Sequence, residues 1–312
     1  MPRRALAAST VALSLLTLAA CGSDSGEEGG SGAGIESVSI SADSGKAPKV
    51  EWEGQLDPDE VETEVLVDGE GDETKTGDSV LAHIWIGNGY DEKEVYNSYE
   101  MEQPQVISLN DTLLPGLQAG LLGQKVGSTV AVAASAEDAY GEGGNPQLGI
   151  GNKDSVLFVT ELLSKVPTGP QGEEREPAKW APAIVEEGGK VTGFDFEGTP
   201  ENNGKLWVTK TVKGDGPVVE KGQTIYVNYL GQVYGGDEPF DESYSRGEPT
   251  SFEIGVGAVV DGWDQSLVGE TVGSRVVVAI PPALGYGKKG NPDAGIKGTD
   301  TLYFVVDILA AV

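Results

Sequence analysis

One cysteine, Cys21, and one histidine, His83, narrow the chemistry open to this chain. A Cys–His nucleophilic pair cannot be repeated elsewhere, no intramolecular disulfide can form, and a His/Cys metal cluster is unavailable. Fifty Asp and Glu residues leave a carboxylate-only cation site as the remaining metal option. No Asp/Asn loop carries Ca²⁺-ligand spacing, so the acids read as solvated surface. Gly285-Tyr286-Gly287-Lys288-Lys289-Gly290 spells G-x-G-x-x-G, but no βαβ pattern follows it and a ribose-binding acid is missing in context, which excludes a nucleotide site. What remains is a series of aromatic and acidic residues in five short segments. These are Val227-Asn228-Tyr229-Leu230-Gly231, Phe240-Asp241-Glu242-Ser243, Val259-Val260-Asp261-Gly262-Trp263, Ala283-Leu284-Gly285-Tyr286-Gly287, and the run from Thr301 to Leu309 that holds Phe304.

Aromatic residues in strands are usually core. Here they come in a fixed order with Phe-Asp and Gly-Trp pairs, and in that order and spacing the segments resemble the FKBP family of peptidyl-prolyl isomerases. The resemblance covers about residues 204–312, a whole domain. It implies that Trp263 is the floor on which a proline ring sits, with Tyr229, Phe240, Val259, Val260 and Phe304 as apolar walls. It implies further that the Tyr286 hydroxyl and the Val260 backbone N–H donate to substrate carbonyls. Asp241 would lie near the twisting amide, Arg246 would pair with Asp241, and Ile296 would line a flap over the site. Two positions depart from the family pattern: a common aromatic wall residue is Thr250 and a common flap histidine is Asn291. Both bear on substrate preference and on the macrolide binding that the resemblance raises.

That activity suits a chain without nucleophile, cofactor or metal. An X–Pro bond must cross a barrier of ~18–20 kcal/mol set by amide resonance, which takes tens to hundreds of seconds unaided. Water stabilises the planar, polarised amide, whereas a dry pocket favours the twisted one.

The elements that must position these residues follow from periodicity. Ile225, Val227 and Tyr229 alternate with Tyr226, Asn228 and Leu230; Leu302, Phe304, Val306 and Ile308 form one face of the last strand; Arg275 to Ile280 is a β-branched run. Gly262 to Leu267 is a short helical stretch. The expected fold is α+β, an antiparallel sheet curled over one short helix. Forty-six Gly and 17 Pro fit such loop-rich architecture.

The chain also repeats itself. Tyr140-Gly141 matches Tyr286-Gly287, Asn145-Pro146 matches Asn291-Pro292, and Val67 to Gly71 matches Val212 to Gly216, at offsets of 145 or 146 residues. Trp52-Glu53-Gly54 has a counterpart in Phe196-Glu197-Gly198. This predicts two FKBP-like domains, 35–166 and 180–312, with 167–179 as linker. In the first copy Leu117 stands for Trp263 and Tyr96-Asn97 for Phe240-Asp241. Tyr229 aligns with Ile84, or with Trp85 if one residue slips; Tyr140 and Phe158 persist. The first copy therefore reads as a degenerate pocket on a kept fold.

The N-terminus reads as an address. Arg3 and Arg4 precede an uncharged apolar run, Ala5 to Ala20, that is short for a membrane span. Leu18-Ala19-Ala20-Cys21-Gly22 resembles a bacterial lipobox, which predicts a signal peptide over 1–20, lipid attachment at Cys21 and an extracytoplasmic, membrane-anchored protein. Two acyl chains suffice for stable anchoring. Gly, Ser and acidic residues over 21–34 read as a flexible tether. Cleavage before Cys21 takes the formal charge from −29 to −31, which argues against nucleic acid as a partner. The charge is uneven: residues 50–166 hold 23 acids and 5 bases, residues 204–312 hold 14 and 9.

Two functions are consistent with this reading. The first is an isomerase that helps exported, proline-containing polypeptides fold. The alternative is a surface-tethered chaperone or adaptor that holds clients without turnover, using the pocket or the acidic first copy. Trp263, Tyr286 and Asp241 favour the first for the second copy; Leu117 and Asn97 favour the second for the first copy.

Overall fold

A computed structural model describes residues 33–101 and 103–312. The expected signal peptide, Cys21 and nearly all of the expected tether lie outside the described residues.

The first half opens with a hairpin, β1 (Val38–Ser41) and β2 (Lys49–Trp52). It continues through β3 (Glu62–Val67), β4 (Ser79–Asn88), β5 (Lys93–Asn97), β6 (Gln105–Ser108), α1 (Pro115–Leu121), β7 (Thr129–Ser135), α2 (Ala136–Tyr140) and β8 (Ser155–Val166). The second half runs through β9 (Gly172–Glu174), the hairpin β10 (Ala183–Glu187) and β11 (Lys190–Asp195), then β12 (Trp207–Gly214), β13 (Thr224–Val233), β14 (Pro239–Glu242), β15 (Thr250–Glu253), α3 (Asp261–Leu267), β16 (Arg275–Ile280) and β17 (Leu302–Ala311).

Both sheets are antiparallel with one topology. The first is ordered β3-β7-β8-β4-β5 with β6 also on β4; the second is ordered β14-β13-β17-β16-β12-β9 with β15 also on β13. The alternation read from the sequence is the packing observed. Ile225, Val227, Tyr229, Leu302, Phe304, Val306 and Ile308 face the core under α3. Gly262 lets that helix close on the sheet, since a Cβ there would stand 2.6 Å from the Ile280 side chain.

Each sheet is covered on its other face too. β10–β11 brings Val191 and Phe194 onto Leu230, Val277, Tyr303 and Val305. β1–β2 brings Val38, Ile40 and Trp52 onto Trp85, Leu157 and Val159. The central strands are thus buried on both faces and read as near-continuous apolar runs. The stretch expected as a linker contributes a strand of its own, β9, which pairs with β12 through Val212↔Glu174 to Gly214↔Gly172.

A buried carboxylate marks the same register point in each sheet and is satisfied differently. Asp307 is fully buried beside its cross-strand partner Arg275. The Arg275 Nε donates to Oδ1 at 2.5 Å and Nη2 to Oδ2 at 2.8 Å, and the Tyr244 hydroxyl donates at 2.9 Å. Arg275 also reaches Glu186 of the hairpin. In the first sheet the equivalent Glu161 faces Thr129, not an arginine. Its oxygens accept from the Ser44 hydroxyl (2.8 Å), the Gly45 N–H (2.7 Å) and the Tyr99 hydroxyl (2.9 Å). Both devices dock a hairpin segment, as a buried charge requires partners of some kind. His83 belongs to this region, stacked on Tyr99 at 4.2 Å.

Candidate functional site

Between α3, β13, β14, β15 and the loops after β15 and β16 lies a cleft of about 500 Å³. Its floor is the Trp263 indole, 3% exposed, held edge-on by three rings: Tyr229 (5.5 Å, 86°), Phe252 (5.1 Å, 79°) and Phe304 (5.4 Å, 79°). Phe240 closes the wall, edge-on to Phe304 at 5.6 Å. This closeness demands glycine at 231, where a Cβ would sit 2.6 Å from both Phe240 and Phe304. The indole N–H is buried without a partner among the described residues, so the floor offers a proline ring an apolar face.

The polar groups sit on one side. Asp241 accepts from the Tyr229 hydroxyl at 2.5 Å through Oδ2 and from Arg246 at 2.7 Å through Oδ1. Burial, reinforced by the hydrogen bond to Asp241, pushes the Tyr229 hydroxyl up to about 12, so it stays a donor at neutral pH. Tyr286 is 38% exposed at the rim.

Of the residues expected at the site, Tyr229, Phe240, Asp241, Val259, Val260, Trp263, Tyr286 and Phe304 meet in this cleft. Arg246 stands outside the lining as the ion-pair partner of Asp241. Ile296 is not in the lining either: at 3% exposure it belongs to the core, with its backbone paired to Asn291. Thr250 does not line the cleft; Phe252, two residues on and on the same face of β15, supplies an aromatic wall. Strand alternation would have found it.

The first half holds a cleft at the equivalent place, about 700 Å³ in volume. The sheet registers give its correspondences. Ile84 pairs with Thr160 as Tyr229 pairs with Val306, and each takes a serine hydroxyl on its N–H, Ser98 or Ser243. Ile84 is therefore the counterpart of Tyr229, and Trp85 faces the opposite, hairpin-covered side. Ile86↔Tyr96 corresponds to Gly231↔Asp241. This corrects the sequence alignment by one residue: Tyr96, not Asn97, takes the place of Asp241, and Val95 that of Phe240. Ile107, opposite Val80, matches Phe252, opposite Ile225. The box is more aliphatic, with Leu117 as floor, though Tyr96, Tyr140 and Phe158 still line it. Only Tyr140 and Phe158 persist, and the Tyr140 hydroxyl is buried without a partner.

Comparison with known proteins gives the class. The family model for FKBP-type peptidyl-prolyl cis-trans isomerases matches residues 71–163 and 216–309. The chain belongs to that family, carrying its domain twice. It is 41% identical over 116 residues to the FK506-binding protein of Streptomyces anulatus, an alignment covering 37% of this chain and 93% of that protein. It is 44% identical over 90 residues to peptidyl-prolyl cis-trans isomerase FKBP15-2 of Arabidopsis thaliana, covering 29% of this chain and 54% of that protein. Among solved structures, the crystal structure of AtFKBP13 aligns at 35% identity with a TM-score of 0.32, over 34% of this chain and 93% of that one. The activity that goes with the family is cis-trans isomerisation of X–Pro bonds, and both hairpins, β1–β2 and β10–β11, lie outside the matched segments.

Proposed function

We propose that isomerisation takes place in the second cleft, and that the protein works outside the cytoplasm, anchored through lipid on Cys21, on exported polypeptides. The observation that carries the site is the edge-on clamping of Trp263 by three rings beside a fixed carboxylate. The proline ring lies on the indole. The preceding amide enters a wall from which water is excluded and loses the hydration that favours its planar form. The Val260 N–H and the Tyr286 hydroxyl hold flanking carbonyls, so that the chain is gripped while one bond turns. Asp241 transfers no proton; with both oxygens already engaged it acts as a positioned charge. No covalent bond forms or breaks.

Two-dimensional NMR of the full chain with a prolyl peptide tests the site. The Trp263 indole and the Tyr286 ring should shift, and exchange between peptide isomers should persist with chelator and a thiol-blocking reagent present. Shifts confined to Tyr140 and Phe158 would place the reaction in the other cleft. Anchoring is tested by Cys21→Ser, which should release the protein or leave it unprocessed; mature protein still fractionating with membranes would refute the lipid anchor.

A non-catalytic holding role is favoured for the first copy by one observation: Tyr96 stands where Asp241 would be needed.

A further inference from the structure

The first cleft is not merely a worn copy of the second. Its volume is about 700 Å³ against about 500 Å³, its lining reaches further along the rim, and Ile84, Ile107 and Leu117 stand where Tyr229, Phe252 and Trp263 do. Leu117 offers a flat ring a smaller and more mobile floor than Trp263 does, whereas a branched or long aliphatic side chain suits a lining that includes Ile84, Ile86, Ile107 and Leu117. The Tyr140 hydroxyl, buried in the lining, has no hydrogen-bond partner among the described residues.

The rim contains a residue from the other half of the chain. Glu248, on the loop between β14 and β15, lines the first cleft, and its Oε1 accepts from the Asn110 side chain at 2.6 Å. The halves are packed together around Val166, Leu309 and Ala310, with Leu81, Val106 and Tyr226 against them, so the loop is held at that rim. Gln105 and Gln147 complete a polar edge suited to an extended backbone. Glu248 is exposed and adds a carboxylate to the mouth of a half that already carries 23 acids against 5 bases over residues 50–166.

We infer that the first cleft, completed by Glu248, is a second, proline-independent binding site for an extended polypeptide segment that presents a bulky aliphatic side chain next to a lysine or arginine. The aliphatic group fills the box floored by Leu117, and the cation meets Glu248. Complementary charge at a rim mainly sets specificity and capture rate, and its effect falls with salt. The site goes beyond the isomerase reading, and its ligand contains no proline.

The test uses the full chain and fluorescence anisotropy at low ionic strength. The probe is a short, labelled, proline-free peptide with Leu-Lys-Leu in a Gly/Ser background, compared with Leu-Glu-Leu and Ser-Lys-Ser versions. The Leu-Lys-Leu peptide should bind at least about tenfold more tightly than either control, and Glu248→Lys should remove most of that preference. Leu117→Trp, which puts in the residue the second half already accommodates, should weaken binding by about tenfold by narrowing the floor. Excess prolyl peptide should not displace the probe. Absence of binding, equal binding of the three peptides, insensitivity to both variants, or displacement by the prolyl peptide would each overturn the inference. The last outcome would do so while leaving the isomerase site intact.

Discussion

Trp263→Leu turns the floor of the second cleft into that of the first. The indole is 3% exposed and meets three rings at 5.1–5.5 Å. Each edge-on pair is worth ~0.5–1.5 kcal/mol beyond burial, and a large-to-small change of this kind costs up to ~3–5 kcal/mol when the side chain is cut to alanine. Leucine refills part of the space. Removing an N–H that is buried without a partner returns some of the ~1–3 kcal/mol such a group costs. The net expectation is a loss of about 1–3 kcal/mol in stability, within what a domain of ordinary stability, ~5–15 kcal/mol, survives. Activity should fall further than folding. A mobile floor no longer fixes the ring against which the amide turns, and we expect kcat/KM to drop by about tenfold to a hundredfold, ~1.4–2.7 kcal/mol. Urea unfolding gives the first quantity and NMR exchange on a prolyl peptide the second. A folded variant with kcat/KM within about threefold of the parent, ~0.7 kcal/mol, would refute the reasoning: any dry apolar floor would then suffice, and Leu117 would be no handicap.

Gly231→Ala should drive Phe240 and Phe304 apart, since its Cβ would lie 2.6 Å from each; a rise in KM with a stability loss of ~1–3 kcal/mol is expected, read by kinetics and urea melts. Arg275→Ala should cost ~3–5 kcal/mol by leaving Asp307 buried without its cation, whereas Thr129→Ala, at the same register point of the first sheet, should cost far less. Burial raises the hydroxyls of Tyr140, Tyr229 and Tyr303 to about 12. A raised pKa means the folded chain holds these protons more tightly. Their contribution to stability is therefore complete below pH ~10, the unfolded value, and is lost as pH climbs toward 12, which alkaline melts would reveal as a steep decline confined to that window.

Much of the fold was legible in the sequence because strand period and duplication are local signals. The face holding Leu302, Phe304, Val306 and Ile308, the helix carrying Trp263 and the near-constant offset between halves needed no three-dimensional knowledge. The hairpins were legible only as a matching pair of short motifs, Trp52-Glu53-Gly54 and Phe196-Glu197-Gly198. That they form a third layer depends on contacts across the sheet, which no spacing encodes. Most of the cleft was also legible, because its residues sit in fixed order on strands and a helix N-terminus. Two placements differ from the sequence reading, for separate reasons. The β-bulge at Gly231/Gln232 recurs at Ile86/Gly87, so both halves keep one offset through this strand pair. Matching aromatic-then-polar pairs by type sets Asn97 against Asp241, whereas strand register sets Tyr96 there. The resemblance sets Ile296 in the flap, whereas its backbone pairs with Asn291 and its side chain packs in the core.

The central claim is that turnover belongs to the second cleft. It is tested most directly by removing equivalent residues from each cleft of the full chain and measuring kcat/KM on one prolyl peptide. Asp241→Ala with Tyr286→Phe should lower it by about a hundredfold or more, some ~2.7 kcal/mol of transition-state stabilisation. Tyr96→Ala with Tyr140→Phe should leave it within about twofold, below ~0.5 kcal/mol. Equal losses from the two pairs, or the larger loss from the first cleft, would contradict the account.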